Sequence, residues 1–367
     1  MHPLLRKLLG LNWTLVLLVI GLSLFGIYAI YSATWFREAP FWKNQILWIS
    51  IGLPVMFVAA LVDYRWLRWG ALPFYLLSLV LLLAVRFIGT ERFGSERWID
   101  LGPFSVQPSQ IAIFAGIVMI ALFLSKFPNL PAIVKIAACG IIAGAPCALI
   151  LLQPDLGSTI VWGPTILAMF FIAGIPKRYL LTMILLVVIA VPIMVNFGLK
   201  PYQRDRIIAF LDNEVDPLGA SWTINQSLIA IGSGGLAGKG FKAENTQNEL
   251  GFLPSTIVHN DFIFSVLGEQ HGFIGGILLL LALGFLLLVC LQIAMSAEDD
   301  LGRLVGVGIT TMLATHIFMN IGMTISVTPI TGLPLPLISY GGTFMATTLA
   351  AFGLMQSIWV HRRVSAW

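Results

Sequence analysis

Charge is scarce in this sequence. Lys and Arg number 21 and Asp and Glu 17 in 367 residues, 10% of the chain, whereas soluble domains carry about 25%. So few charges cannot cover the surface of a soluble protein of this length, which excludes a soluble enzyme or free binding module. Cysteine is scarcer still. Cys139, Cys147 and Cys290 lie inside apolar runs with no paired spacing, which excludes a disulfide framework or thiolate metal site and leaves small packing residues. Glycine is aperiodic, so no collagen-like repeat exists. A nucleotide-binding P-loop is also missing. Counting back from Gly238-Lys239, its first glycine would fall at position 233, which is Ser, and position 240 is Gly where Ser or Thr is required. No strand pattern precedes that run, so a Rossmann fingerprint fails too.

What the chain has is apolar length. Hydrophobic residues make up 58% of it, and runs of about 20 apolar residues are what a helix needs to cross a bilayer core. Ten such runs stand at 12–32, 44–62, 70–85, 108–124, 136–152, 158–175, 179–198, 262–293, 304–327 and 340–360. The first has a basic flank but is too long for a signal-peptide core, and no small-residue cleavage site follows it, so it reads as an uncleaved helix. The expected fold is an all-α polytopic membrane protein of ten transmembrane helices, one domain over 1–367. A long extracytoplasmic loop, 199–261, separates helices 7 and 8. With both termini cytoplasmic, the inner segments hold 11 of the 21 basic residues. Five of the other ten lie in the loop 199–261, whose length exempts it from the positive-inside rule. The short loops therefore favour N-in and C-in.

By that topology most acidic residues lie outside, and function is sought there. Residues 202–211 read as a short amphipathic helix on the membrane surface, and 221–231 as a second. In Gly232 to Gly240, glycines let backbone N–H groups approach an oxyanion and Lys239 adds a charge; a purely structural turn is the competing reading. Asp261 opens the eighth span. It reads as a helix N-cap or as a general base beside His259, and the two roles are compatible. The run 262–293 is about 48 Å long as straight helix, too long for one crossing. Glu269 and His271 interrupt it near glycines, so either they face a protein-lined cavity or the part before Gly272 is a separate piece. Glu269 is a functional candidate as an intramembrane ionisable residue. His316 and Asn320, four apart on span nine, read as interhelical hydrogen-bonding residues.

Four separated motifs resemble the SEDS family (shape, elongation, division and sporulation). They are Arg97-Trp-Ile-Asp-Leu-Gly-Pro-Phe104 with Gln107-Pro-Ser109, Gln153-Pro-Asp-Leu-Gly157, Gly232 to Gly240 with the Asp261 segment, and Gly332-Leu-Pro-Leu-Pro-Leu-Ile-Ser-Tyr-Gly-Gly342. Their order and spacing hold over almost the whole chain, and 212–219 with Ile229 to Gly240 is similar to the family's RodA branch. The resemblance implies a peptidoglycan glycosyltransferase of cell elongation and shape maintenance in the bacterial cytoplasmic membrane. Its active site faces outward, its substrate is lipid II, and its leaving group is undecaprenyl diphosphate. A class B penicillin-binding protein is the implied partner, with other elongation-machinery membrane proteins; nucleic acid is not expected.

Asp261 would be the base that deprotonates the acceptor hydroxyl. Trp98, Gln107, Asp155, Lys239 and Glu269 are further substrate-site candidates. Arg204, Arg206, Lys239 and Lys242 are candidates for the diphosphate, as is a divalent cation, Mg or Mn, since a diphosphate leaving group needs positive charge or aimed donors. One departure stands out. The family's usual Glu and Lys after Gln107-Pro-Ser109 are here Gln110 and Ile113, so that site is not carried over. The alternatives are a lipid II flippase or transporter, in which inverted repeats and broken helices are common, and a non-catalytic scaffold for the penicillin-binding protein.

Overall fold

Lipid cannot hydrogen-bond the backbone, so segments that cross it close their own ladders as helices. The computed structural model describes residues 7–37, 40–92, 95–102, 104–197, 204, 207–208, 210 and 220–362. Its elements are α1 (Trp13–Thr34), α2 (Phe41–Leu61), α3 (Leu67–Ile88), β1 (Thr90–Arg92), β2 (Ser95–Leu101), β3 (Phe104–Val106), α4 (Pro108–Lys126) and α5 (Ala132–Leu152). They continue as α6 (Leu156–Ile160), α7 (Trp162–Ile172), α8 (Lys177–Phe197), α9 (Ala220–Ser233), α10 (Ile263–Met295), α11 (Asp300–Thr324) and α12 (Gly342–Val360). Among the described residues, nine helices are long and apolar enough to cross a membrane. The sixth expected run, 158–175, is instead two short helices, α6 and α7, with Asp155 capping the first through Ser158 N–H at 3.1 Å.

The bundle is built around α11, buried along most of its length, with α4 and α12 beside it. The α8 helix stands at the periphery, and Leu185, Val187 and Ile189 on it are exposed, as befits a helix surrounded by lipid. At one end of the bundle the short linkers meet. Tyr64 Oη donates to Asp299 Oδ1 at 2.8 Å, Arg68 pairs with Asp299 at 2.9 Å, and Arg65 pairs with Glu298. The loops expected on the opposite side gather at the other end.

Three features there go beyond the sequence reading. Between α3 and α4, where the sequence offered no element, β1, β2 and β3 form an antiparallel meander, with Thr90 opposite Trp98 and Ile99 opposite Val106. The helix expected over 221–231 exists as α9, but it does not lie free on a surface. Ser227 Oγ bonds Ser265 Oγ and the Thr324 carbonyl, both at 2.7 Å, which fixes α9 to α10 and α11. Of the helix expected over 202–211, positions 204, 207, 208 and 210 are helical, and the others, Arg206 among them, lie outside the described residues.

The third feature is the break in α10. Gly272 has φ 64° and ψ −163°, so a nine-residue stub, 263–271, precedes the crossing portion. The glycine-rich turn fills this break. Lys239 N–H donates to Glu269 O and Gly240 N–H to Gln270 O, both at 3.0 Å, while Phe273 N–H returns a bond to Gly235 O at 2.8 Å. The N–H groups at 239 and 240, expected to face an oxyanion, are therefore engaged by carbonyls freed where the helix opens. Two backbones can approach this closely only without side chains. A Cβ on Gly238 (φ 82°) would stand 2.2 Å from Gln270 O, and one on Gly272 would stand 2.3 Å from Gly238 N. Gly238→Ala is expected to destabilise the protein by at least about 2 kcal/mol. Thermal unfolding in detergent measures this, and an unchanged midpoint would refute the account of the plug.

Candidate active site

The polar motifs converge on a cavity of about 960 Å³ at the loop-rich end, the upper range for a small-molecule site. Its wall is assembled from separate elements, each locally determined. Strand β2 carries Arg97 and Trp98. Gln107 occupies the cap position of α4, where Pro108 at the first turn suits the missing N–H. Asp155 caps α6, Asp261 precedes α10, residues 331–334 and 340–341 lie in the connection from α11 to α12, and 342–344 open α12.

Asp155 is buried and fully engaged. Its carboxylate accepts from Ser158 Oγ at 2.8 Å and from Gln107 Nε2 and Ser109 Oγ at 3.3 Å, and Arg97 Nη1 stands 3.6 Å away. Arg97 Nε also donates to Gln153 O at 3.2 Å. This network ties the sheet to α4 and α6. Among the described residues lining the cavity, Arg97 is the cation. Arg97 is not among the site residues expected from sequence, which place the cations in the long loop, although its position beside Trp98 in the motif marks it.

Asp261 lines the same cavity and is partly buried. It is not the helix N-cap that the sequence suggested. The chain reaches α10 through a turn in which Asp261 N–H donates to Ile257 O at 2.8 Å, so Phe262 takes the cap position, without a side-chain bond. The backbone of the turn is held from two directions. Asn320 Nδ2 donates to Asp261 O at 3.1 Å and to Leu333 O at 2.7 Å, Tyr340 N–H donates to His259 O at 3.0 Å, and Ser339 Oγ to Asn260 O at 2.5 Å. Asn320 and His316, which meets Pro334 O at 3.3 Å, do hydrogen-bond from that helical face, but to the backbone of the turn and of the connection after α11 rather than to another helix.

His259 is 2% exposed, stacked on Phe41 with ring centroids 3.9 Å apart. Burial first, and Arg37 second, push its imidazole down to about 4. It is therefore neutral near pH 7 and is not a base titrating there. An unfolded chain protonates this histidine at about pH 6.5. Its stabilising contribution is complete above that pH and is lost as pH falls toward 4, at most about 3 kcal/mol. Thermal unfolding followed from about pH 7.5 to about pH 4.5 should show the loss, and His259→Gln should flatten it.

The other candidates lie elsewhere. Lys239 Nζ pairs with Glu269 Oε1 at 2.6 Å, and Gln247 N–H donates to the same carboxylate at 2.9 Å. Neither Lys239 nor Glu269 is among the lining residues. Lys242 bonds Tyr31 Oη at 2.7 Å and sits over the Tyr31 and Trp35 rings at 4.5 and 5.4 Å, a cation–π enclosure. Arg204 is exposed. Gln110 lines the cavity and Ile113, three residues on in α4, is buried, so the departure from the family pattern removes two charges together rather than stranding one. No group of three His, Cys, Asp or Glu side chains converges among the described residues. A divalent cation would have Asp261 as its carboxylate and would rely on substrate phosphates, which is a habit of Mg²⁺.

Sequence and structure comparisons place this geometry. Peptidoglycan glycosyltransferase MrdB of Escherichia coli K12 is 38% identical over 355 residues, spanning 96% of this chain and 95% of that protein. Stage V sporulation protein E of Bacillus subtilis is 38% identical over 359 residues, spanning 94% of each. Among solved structures, a chain from work on the coordination of polymerization and crosslinking by a peptidoglycan synthase complex superposes with a TM-score of 0.79 at 31% identity, covering 95% of this chain and 97% of that one. The rod shape determining protein RodA of Thermus thermophilus superposes with a TM-score of 0.72 at 28% identity, covering 97% and 98%. The sequence pattern of the FtsW/RodA/SpoVE cell cycle proteins matches residues 8–364. With that match running from the start of α1 through the end of α12, the chain belongs to the FtsW/RodA/SpoVE family.

Proposed function

We propose that this chain is a peptidoglycan glycosyltransferase that polymerises lipid II outside the bacterial cytoplasmic membrane, through ten crossings with both termini cytoplasmic. The observation that carries this reading is the shared cavity of Asp261 and Arg97 at one end of the bundle. Asp261 takes the proton of the acceptor GlcNAc 4-hydroxyl. The freed oxygen attacks the anomeric carbon of the donor MurNAc, the bond to the diphosphate breaks, and undecaprenyl diphosphate leaves with inversion. Each Arg97 guanidinium nitrogen has a partner, Nε on Gln153 O, Nη2 on Pro154 O and Nη1 beside Asp155, but each Nη carries a second N–H, and these stabilise the charge that builds on the leaving group. The similarity to MrdB and to a chain of a peptidoglycan synthase complex supports the activity and a class B penicillin-binding protein as partner.

The test is to reconstitute the purified chain with such a partner and supply labelled lipid II. Glycan polymer is the expected product. Transfer of lipid II between leaflets with no polymer under any condition would establish the transporter reading instead.

A further inference from the structure

Beside Asp261 lies a neutral, aromatic wall that the proposed transfer has not used. The Phe41, His259 and Tyr340 rings meet pairwise, with centroids 3.9, 5.4 and 5.3 Å apart, and all three line the cavity. His259 Nδ1 is buried with no hydrogen-bond partner among the described residues, and so are Asn260 Oδ1 and Thr331 Oγ1 on the same wall. Buried polar atoms without partners are uncommon, and three around one cavity describe a surface prepared for a polar, uncharged ligand. Aromatic faces joined to neutral hydrogen-bonding groups suit a sugar, whose C–H faces are apolar and whose hydroxyl and acetamido groups are not. The charged end of the cavity, Arg97 with Asp155, suits a diphosphate instead.

We infer that His259 is an acceptor-binding residue: its imidazole hydrogen-bonds a hydroxyl or acetamido group of the acceptor sugar and brings the 4-hydroxyl to Asp261. The backbone favours this role. His259 is two residues from Asp261 in one hydrogen-bonded turn, its own carbonyl is held by Tyr340 N–H, and its ring is clamped by Phe41. A side chain fixed so firmly loses little entropy on binding. An imidazole ring has two nitrogens with which to meet a sugar hydroxyl or acetamido group.

This inference rests on the glycosyltransferase reading, and separate donor and acceptor substrates keep the two distinguishable. Lipid II blocked at its GlcNAc 4-hydroxyl serves only as donor. An analogue with a carbon-linked phosphonate in place of the leaving oxygen serves only as acceptor. With the full chain reconstituted with a class B penicillin-binding protein, a single coupling is followed while each is varied. His259→Phe keeps the ring stack and removes the hydrogen bond. It is expected to raise the acceptor KM about tenfold, with donor KM and kcat within about twofold, the signature of lost uniform binding. His259→Gln, which restores a neutral hydrogen-bonding group, is expected to recover most of the acceptor affinity. An unchanged acceptor KM in His259→Phe would overturn the assignment, as would equal rises in both KM values or a glutamine variant no better than phenylalanine. No coupling by the wild type would overturn the glycosyltransferase reading and this assignment with it.

Discussion

Asp261→Asn is expected to lower the rate of lipid II polymerisation by about a hundredfold to ten-thousandfold, the usual contribution of a positioned base, without disturbing the fold. Asparagine has the same shape and keeps an acceptor oxygen, but it cannot take the hydroxyl proton. Asp261 does not cap α10, since Phe262 holds that position, so no capping bond is lost. Its backbone is held by Asn320 and by the turn to Ile257 through main-chain atoms that the substitution leaves in place. Initial rates of glycan formation and the unfolding midpoint should be measured on the same preparation. A reduced rate with an unchanged midpoint assigns the loss to chemistry; a wild-type rate from the asparagine protein would remove Asp261 from the mechanism.

A second large effect is expected at Lys239, and it falls on stability. Glu269 is 1% exposed in its side chain, whereas Lys239 is 29% exposed. Lys239→Met leaves a buried carboxylate with backbone and hydroxyl donors but no countercharge, and removing one member of a buried pair costs about 3–5 kcal/mol. Glu269→Gln is the milder change. The amide still accepts from Gln247 N–H, and the orphaned ammonium can turn toward water, so a cost of about 1–2 kcal/mol follows. The unequal exposure predicts the order of the two variants, which thermal unfolding in detergent measures directly. Loss of polymerisation with an unshifted midpoint in Lys239→Met would instead make Lys239 a substrate ligand.

The spans were legible because lipid forces a long apolar run into a helix whatever its neighbours are. The oversized run 262–293 likewise signalled its own break at Gly272. Harder to read was anything made by pairing distant backbones. The meander over 90–106 depends on cross-strand partners, and its short strands carry too little alternation to stand out from a loop. The glycine-rich turn was recognised as unusual, yet its partner, the opened turn of α10 some thirty residues later, is visible only in three dimensions. The charged candidates divide for the same reason. Lys239 and Lys242 looked available on the outer face, but a lysine in sequence carries no mark of the carboxylate or aromatic rings that will enclose it. Arg97 reached the cavity because β2 turns it there. Asp261 stood out at the head of the eighth span, Trp98, Gln107 and Asp155 through motif resemblance, and the cavity they share is a matter of topology.

The break in α10 has a consequence for biogenesis. At about 1.5 Å per residue, the stub of nine residues is roughly 13 Å long, too short to be held across a bilayer on its own, whereas the remaining 23 residues, about 35 Å, suffice. The translocon can therefore commit the long portion to the membrane while the stub still lacks its supports. Those supports come from both directions along the chain: the plug at 235–240, already made, and Asn320, not synthesised until some fifty residues later. Insertion and completion of the cavity are thus separate events, so a chain truncated before Asn320 can be integrated and still lack a seated Asp261.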